Sequence, residues 1–286
     1  MVTSIVRSRQ GQVVLSLVLL LLPICTAFAG AEAPGEIMNT EGKPFKGVLR
    51  WKSQNRVYIV KSGGPNSATA VEFEVPLNMV QTLRVAEPAE LAQAYKLLQE
   101  NKLTQAIAVL DKLAQDYAML TYDLRATRWL SDAYLRDGKP LEAVRACERV
   151  MDKRKELALS GEVAPSYWQA LLAAGRFNKL EELLDLAAKS AAPEGLARAY
   201  VLRGELLRKQ GKQKDALRDG YLRTVVLYKE AREPAVREAR AEALYKAAQC
   251  LDELGQIQRA TEMRTKCLNE HGESAWAQRV KAGERS

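Results

Sequence analysis

Apolar residues recur three and four positions apart along most of this chain, from about residue 90 onward. This spacing predicts a series of amphipathic helices, each of which buries one stripe of side chains. One position of this pattern recurs at intervals of 37, 37, 36 and 44 residues: Ala106, Ala143, Leu180, Ala216 and Ala260. Four of these five residues have a small side chain. Each lies five residues after a residue typical of turns: Asn101, Gly138, Gly175, Gly211 and Gly255. The pattern predicts stacked helical hairpins, none of which buries enough surface to fold alone.

Small residues also recur in the first helix of most hairpins, where they face the small residue of the second helix. The pairs are Ala94 with Ala106, Ser131 with Ala143, Gly204 with Ala216, and Ala248 with Ala260. Over residues 87–282 this arrangement resembles the tetratricopeptide repeat family, in which small side chains let the two helices approach closely. The resemblance implies a mainly α, right-handed helical solenoid that binds other proteins. The third hairpin departs from the pattern because Trp168 and Leu180 occupy its small positions, so we expect a degenerate or shifted repeat there.

Residues 30–86 are rich in β-branched and aromatic residues, and turn-forming clusters separate the apolar segments. This composition predicts short antiparallel strands at 45–51, 56–61, 70–75 and 80–85. The glycine and apolar residues Gly47, Val48 and Leu49 resemble an early strand of the Sm-like and SH3-like small barrels. We therefore expect a small β-barrel domain. Because a barrel of this size has a thin core, we expect it to pack against the helices.

Residues 1–29 have the pattern of a signal peptide. Arg7 and Arg9 precede the apolar segment 13–24, and Ala27-Phe28-Ala29 is a small-residue cleavage motif. Cleavage after Ala31 fits nearly as well. An uncleaved anchor is the alternative, since residues 13–31 carry no charge and approach the length of about 20 residues that spans a bilayer. The pattern predicts an exported protein, periplasmic or otherwise extracytoplasmic, with no transmembrane helix after cleavage.

The net charge indicates which partners the chain could bind, and the number of cysteines limits the disulfides that it could form. The formal net charge is +8, and removal of Arg7 and Arg9 leaves +6. Outside the cytoplasm, a basic balance favours acidic proteins, anionic polymers or membrane surfaces, and we expect no nucleic acid. The mature chain retains Cys147, Cys250 and Cys267, an odd number that excludes a complete set of intrachain disulfides. We expect buried free thiols.

The sequence offers little material for catalysis or for a metal site. His271 is the only histidine, so a Ser-His or Cys-His pair has no other candidate base. The sequence has no Cys-x-x-Cys pair or histidine cluster of the kind that holds zinc, and no phosphate-binding glycine motif. Adjacent carboxylates such as Glu181 and Glu182 point about 100° apart on a helix and rarely converge on one bond. We expect a protein that is not an enzyme, without a cofactor or metal.

The first helices of tetratricopeptide hairpins line the concave surface, so the resemblance implies a binding groove there. Its register gives the candidate binding residues Tyr95, Arg125, Arg128, Arg136, Arg198, Arg208 and Tyr245. Because arginine binds carboxylates through two parallel hydrogen bonds, an acidic peptide or C-terminus is the expected partner. The alternative is a solvated face whose arginines pair within the chain, for example Arg128 with Asp132.

The function predicted from sequence is therefore an exported adaptor or scaffold that holds a protein or peptide partner at the cell envelope. The alternative function is binding of an anionic envelope polymer or membrane surface through the basic segments 153–155 and 208–209. The sequence leaves the oligomeric state open, a homo-oligomer included.

Overall fold

The computed structural model describes residues 31–63, 71–190 and 192–283. The predicted signal peptide, residues 1–29, lies outside the described residues. Among the described residues, none of the helices combines the length and apolarity needed to cross a bilayer.

A five-stranded antiparallel sheet opens the described chain. Its strands are β1 (Ala33–Asn39), β2 (Pro44–Lys52), β3 (Val57–Ser62), β4 (Val71–Pro76) and β5 (Val80–Val85). They lie in the order β4-β3-β2-β1-β5, and a 3₁₀ turn, Leu77–Met79, joins β4 to β5. Four of the strands match predicted segments, whereas β1 was not singled out from the sequence.

The prediction of a closed barrel is wrong, because the sheet is open. The strands β4 and β5 form its two edges and do not pair with each other. A turn between two helices covers part of the apolar face instead: Met119 and Leu120 pack with Ile37, Leu49 and Val60 in one buried cluster. The expectation that this small domain packs against the helices is met by these contacts.

The rest of the described chain is helical, and the helices follow one another in hairpins. They are α1 (Ala89–Gln99), α2 (Leu103–Asp116), α3 (Tyr122–Arg136), α4 (Pro140–Met151), α5 (Ala164–Ala173), α6 (Phe177–Ser190), α7 (Pro193–Lys209), α8 (Gln213–Asp215), α9 (Leu222–Leu227), α10 (Pro234–Glu253), α11 (Ile257–Glu270) and α12 (Ala275–Lys281). A π-helical segment, Ala216–Tyr221, connects α8 to α9. We call α1, α3, α5, α7 and α10 the A helices, because each opens a hairpin.

All five predicted hairpin turns are present and share one backbone geometry. The turn residues have positive φ angles between 55° at Asn101 and 75° at Gly211. In each turn the next residue donates its N–H to a carbonyl five residues earlier, as Lys139 does to Tyr134 at 2.8 Å. This is the Schellman motif, which satisfies the free carbonyls at a helix C-terminus and favours glycine.

The predicted small positions are buried, as the close packing of two helices requires. The five residues Ala106, Ala143, Leu180, Ala216 and Ala260 are each 0% exposed. In the third hairpin Trp168 is also 0% exposed, and its indole N–H donates to the carbonyl of Ala158 at 2.9 Å. The A helix of this hairpin has only 10 residues and follows the segment that includes Ala158. The two helices of the hairpin pack around the bulky side chains of Trp168 and Leu180.

In the fourth hairpin, α7 and the π-helical segment approach each other closely. A Cβ atom added to Gly220 would lie 2.4 Å from the Cα atom of Gly204. Tyr221 is 0% exposed, and its hydroxyl donates to Glu205 at 2.6 Å. The π-helical segment therefore places Gly220 against Gly204 and the aromatic ring of Tyr221 beside that contact.

The three cysteines in the described residues are free thiols and are buried, as predicted. Cys250 donates to the carbonyl of Gln213 and Cys267 lies near the carbonyl of Ala241. Burial raises the pKa of Cys147 to about 12 and that of Cys267 to about 11. These thiols are therefore protonated at neutral pH and act as small apolar side chains.

A buried arginine joins α9, α10 and α11 near the end of the chain. Arg240 has a side chain that is 5% exposed, and its Nε donates to the carbonyl of Val225 at 3.1 Å. Its Nη1 pairs with Glu270 and lies 2.9 Å from Nε2 of His271. Since the guanidinium is a donor, this contact requires a neutral imidazole that accepts at Nε2. Burial first, and then the charges of Arg240 and Arg237, lower the pKa of His271 below its ordinary 6.5, against the opposing charge of Glu270.

We expect the stability contributed by this contact to be complete above pH 6.5 and to fall as the pH drops through the lowered pKa of His271. The direction follows because the unfolded chain binds the proton more readily than the folded chain. Urea unfolding at pH 7.5 and pH 5.5 measures the loss. The variant His271→Gln keeps an acceptor but does not titrate, so it should lose less stability between these two pH values. Equal losses in the two proteins would show that His271 does not couple folding to pH.

Candidate functional site

The A helices of neighbouring repeats lie side by side, so that α3, α5, α7 and α10 contact one another in turn. Three of these helices, α5, α7 and α10, begin beside the same cavity, which has a volume of about 600 Å³. Most of its wall is apolar: Leu159, Ala164, Pro165, Trp168, Ala235 and Ala239. We call it the anchor cavity, because it is large enough to hold a side chain of a bound segment.

Five charged residues also line the anchor cavity. Two of them are the predicted binding residues Arg128 and Arg198, from α3 and α7, and the others are Glu162, Glu194 and Glu238. The Nε atom of Arg128 lies 3.5 Å from the carboxylate of Glu162. Arg198 pairs with Glu242 of α10, which is 7% exposed. Both arginines therefore already hold carboxylates of the same chain.

A second cavity, of about 230 Å³, lies between α3 and α5 and shares Arg128 with the anchor cavity. Trp129 lines it and its ring lies 5.5 Å from that of Tyr95 on α1. Tyr95 is 51% exposed, so this aromatic pair presents a surface to solvent. The aromatic pair and the two cavities extend across the A helices from α1 to α10.

The remaining predicted arginines tie neighbouring repeats together. Arg125 lies 3.6 Å from Glu87 before α1, and Arg136 donates to the carbonyl of Leu98 at 3.0 Å. Arg208 on α7 pairs with Glu253 on α10. The intrahelical pair expected between Arg128 and Asp132 does not form, because Asp132 lies 3.7 Å from Arg136 instead.

Tyr245 does not lie in the cavities. It is 6% exposed, its ring lies 5.5 Å from that of Trp276, and its hydroxyl accepts from Gln249 at 3.1 Å. Of the seven predicted binding residues, the structure thus brings Arg128 and Arg198 into one cavity and places Tyr95 nearby. Arg125, Arg136 and Arg208 contribute to packing between repeats.

Sequence reasoning missed the apolar wall of the anchor cavity. Leu159 comes from the irregular segment before α5, and Ala235 from the start of α10. Neither belongs to a helical stripe that a three-and-four spacing would mark. The sequence did contain a signal for this cavity. The helices α5, α7 and α10 each have a proline near the start, and these prolines mark the three helix ends that meet here: Pro165, Pro193 and Pro234.

Comparison with known proteins agrees with the repeat pattern. The family profile described as Tetratricopeptide repeat matches residues 242–274, which cover most of α10 and all of α11. The predicted resemblance is confirmed in that hairpin. Among curated protein sequences, none matches this chain.

Solved structures of a protein named MamA are similar to this chain. One is MamA 41-end from Desulfovibrio magneticus RS-1, at 16% identity and a TM-score of 0.43, covering 65% of this chain and 96% of that one. Another is a crystal structure of MamA protein, at 14% identity and a TM-score of 0.42, covering 67% and 92%.

Proposed function

We propose that this repeat protein is an exported, non-enzymatic scaffold that binds an extended segment of a protein partner across its A helices. The observation that carries the proposal is the anchor cavity, an apolar cavity formed where three successive A helices begin. The signal-peptide pattern of residues 1–29 supports export to the cell envelope.

The shape of the site favours an extended segment over a compact small molecule. The anchor cavity and the second cavity share Arg128, and the Tyr95–Trp129 pair continues the same surface to α1. A segment that crosses these helices can place one side chain in the anchor cavity and rest another on the aromatic pair. Burial of apolar area contributes about 25 cal/mol per Å², so each anchor would add to the affinity for the segment.

The histidine and the cysteines have structural roles in the described part of the chain. His271 accepts from buried Arg240, and the three described thiols are buried. Among the described residues, no group of three or more His, Cys, Asp or Glu side chains is arranged to hold a metal ion. These observations support a scaffold rather than an enzyme.

The basic segments that suggested a polyanion as ligand are partly neutralised. Arg154 pairs with buried Asp123, and Arg208 pairs with Glu253. Each ion pair neutralises an arginine that would otherwise attract a polymer or membrane surface. We therefore favour a protein segment over an anionic polymer as the ligand.

A tryptophan in the anchor cavity should abolish partner binding. Ala235 lines the cavity and is exposed, so Ala235→Trp fills the space without disturbing the buried packing. We expect at least about a tenfold loss of captured partner when the mature chain is used as bait in envelope extract, since a filled cavity excludes the anchor side chain. Quantitative mass spectrometry of the captured proteins measures the loss.

The matched control is Ala108→Trp, which adds the same side chain at an exposed position on α2, away from the cavity. This variant should capture the same proteins as the unmodified chain. Equal capture by Ala235→Trp and Ala108→Trp would exclude the anchor cavity as the binding site.

A further inference from the structure

The aromatic pair on α1 and α3 faces solvent beside a cavity. The rings of Tyr95 and Trp129 lie 5.5 Å apart and are tilted by 36°, and Tyr95 is 51% exposed. Trp129 also lines the second cavity, which has a volume of about 230 Å³. The two tilted rings therefore form an uncharged apolar surface that continues into the cavity.

The residues that line the second cavity carry hydrogen-bond donors that the described chain does not use. The indole N–H of Trp129, the guanidinium of Arg128 and the exposed amide of Gln169 donate no hydrogen bond to any described residue. The side chain of Arg128 is 44% exposed, and the nearest carboxylate, of Glu162, lies 3.5 Å from its Nε atom. A bound segment with free carbonyl groups would satisfy these donors.

Other cations on α3 are balanced by carboxylates of the same chain. Arg125 lies 3.6 Å from Glu87, and Arg136 lies 3.7 Å from Asp132. These two ion pairs lie on either side of Trp129 along the chain, and each is neutral as a whole. The surface around the two rings therefore suits an uncharged segment that supplies hydrogen-bond acceptors.

The A helices limit how the backbone of a bound segment can be satisfied. Their N–H and C=O groups are bonded within each helix, so they cannot add a strand as a sheet edge does. A helical segment would bond its own carbonyls internally and leave the donors of Arg128, Trp129 and Gln169 without backbone acceptors. A polyproline II helix has no internal hydrogen bonds, so its carbonyls are free to accept. Proline adds an apolar ring and has no N–H that needs an acceptor.

We propose that the partner segment is proline-rich and binds across the A helices as a polyproline II helix. One proline ring packs against the Tyr95–Trp129 pair, and carbonyls of the segment accept from Trp129 and Arg128. This inference rests on the proposed function and deepens it, because it names the composition and the conformation of the segment. Aromatic-lined grooves bind such segments because the polyproline II helix is preformed and loses little entropy on binding.

Three immobilised pools of twelve-residue peptides test the composition of the segment. The pools carry proline, leucine or N-methylalanine at two fixed positions, three residues apart, because a polyproline II helix has about three residues per turn. The other positions are randomised without proline. N-methylalanine lacks the N–H but has no ring. We expect the full mature chain to bind the proline pool about fivefold more tightly than the leucine pool, because the proline segment has fewer conformations to lose. The N-methylalanine pool should lie between them.

An immobilised chitin hexasaccharide tests the other neutral ligand that stacks on aromatic rings. Because its hydroxyl groups need both donors and acceptors, we expect the full mature chain to bind it more weakly than the proline pool.

Variants at Tyr95 test the aromatic pair. Tyr95→Ala removes the exposed ring and should lose most of the preference for proline over leucine, whereas Tyr95→Phe keeps the ring and should retain the preference. The matched control Phe73→Ala removes a ring that is 40% exposed on β4, away from the A helices, and should also retain it. Far-ultraviolet circular dichroism establishes that each variant has the helix content of the unmodified chain.

The outcomes separate this inference from the proposed function. The proline-rich segment is overturned if the unmodified chain binds the leucine pool equally or more tightly, if Tyr95→Ala retains the preference, or if the sugar binds more tightly than the proline pool. In those cases, weaker binding of the peptide pools by Ala235→Trp would still support a protein segment in the anchor cavity. If the unmodified chain binds no pool more tightly than Ala235→Trp does, the proposed function fails as well.

Discussion

Replacing Asp123 with alanine should lower the free energy of unfolding by about 3–5 kcal/mol, because the substitution leaves Arg154 without its partner in a largely buried site. Asp123 is 1% exposed, pairs with Arg154 and accepts the N–H of Met119 at 2.8 Å. Tyr58 of the sheet donates to the carbonyl of the same Met119, also at 2.8 Å. The substitution therefore weakens the contact between helices and sheet as well as the ion pair. Urea unfolding followed by circular dichroism measures the loss.

Two comparisons identify the cause of that loss. Burial raises the pKa of Asp123 above its ordinary value, while the charge of Arg154 opposes this rise, so the ion pair carries a large desolvation cost. The double variant Asp123→Leu/Arg154→Met removes both charges and should recover part of the stability. Glu142→Gln breaks the exposed pair with Arg145 and should cost less than about 0.5 kcal/mol. A loss below 1 kcal/mol for Asp123→Ala would mean that this site does not hold the sheet against the helices.

Replacing Gly220 with alanine should cost about 2–3 kcal/mol, because the added Cβ would lie 2.4 Å from the Cα and 2.5 Å from the N of Gly204. Both neighbours are backbone atoms, so no side-chain rotation relieves the contact and the two helices must separate. Alanine gains about 1 kcal/mol over glycine in a helix, which is too little to offset the clash. The midpoint and slope of urea unfolding give the change in stability.

The control for Gly220→Ala is Gly211→Ala, in the turn of the same hairpin. A Cβ atom there has no neighbour within 4 Å, but its φ of +75° strains an alanine. We expect a loss of about 1 kcal/mol from backbone strain alone. If Gly220→Ala costs no more than Gly211→Ala, the close approach of α7 and the π-helical segment does not contribute to stability.

The hairpins were predictable because their signals are local. A stripe of apolar residues, a small residue at the crossing and a turn residue five positions earlier all lie within about 40 residues of each other. The turn itself is stabilised by bonds between residues five apart, such as Lys139 and Tyr134. No distant part of the chain is needed to form these elements.

The sheet shows where local signals fail. Pro34 and Gly35 are typical of turns, yet they lie in β1, between β2 and β5. A Cβ atom on Gly35 would lie 2.4 Å from the carbonyl oxygen of Arg84, so the glycine permits close contact with a strand far along the chain. The barrel prediction failed for the same kind of reason, because Met119 and Leu120 cover the sheet from a distant segment.

The candidate site was predicted in part. The helical register identified Arg128 and Arg198, which do share a cavity. It could not identify their ion-pair partners, because Glu162 and Glu242 lie 34 and 44 residues further along the chain. Those pairs form only when segments far apart along the chain come together.

By itself, the sequence determined the repeat, its turns and the burial of its small residues, since each depends on side chains a few turns apart on a helix. Tertiary structure alone decided that the sheet stays open, that Gly220 meets Gly204, and which residues line the anchor cavity. These features depend on atoms brought together from segments far apart along the chain, and their distances are set only when the repeats stack.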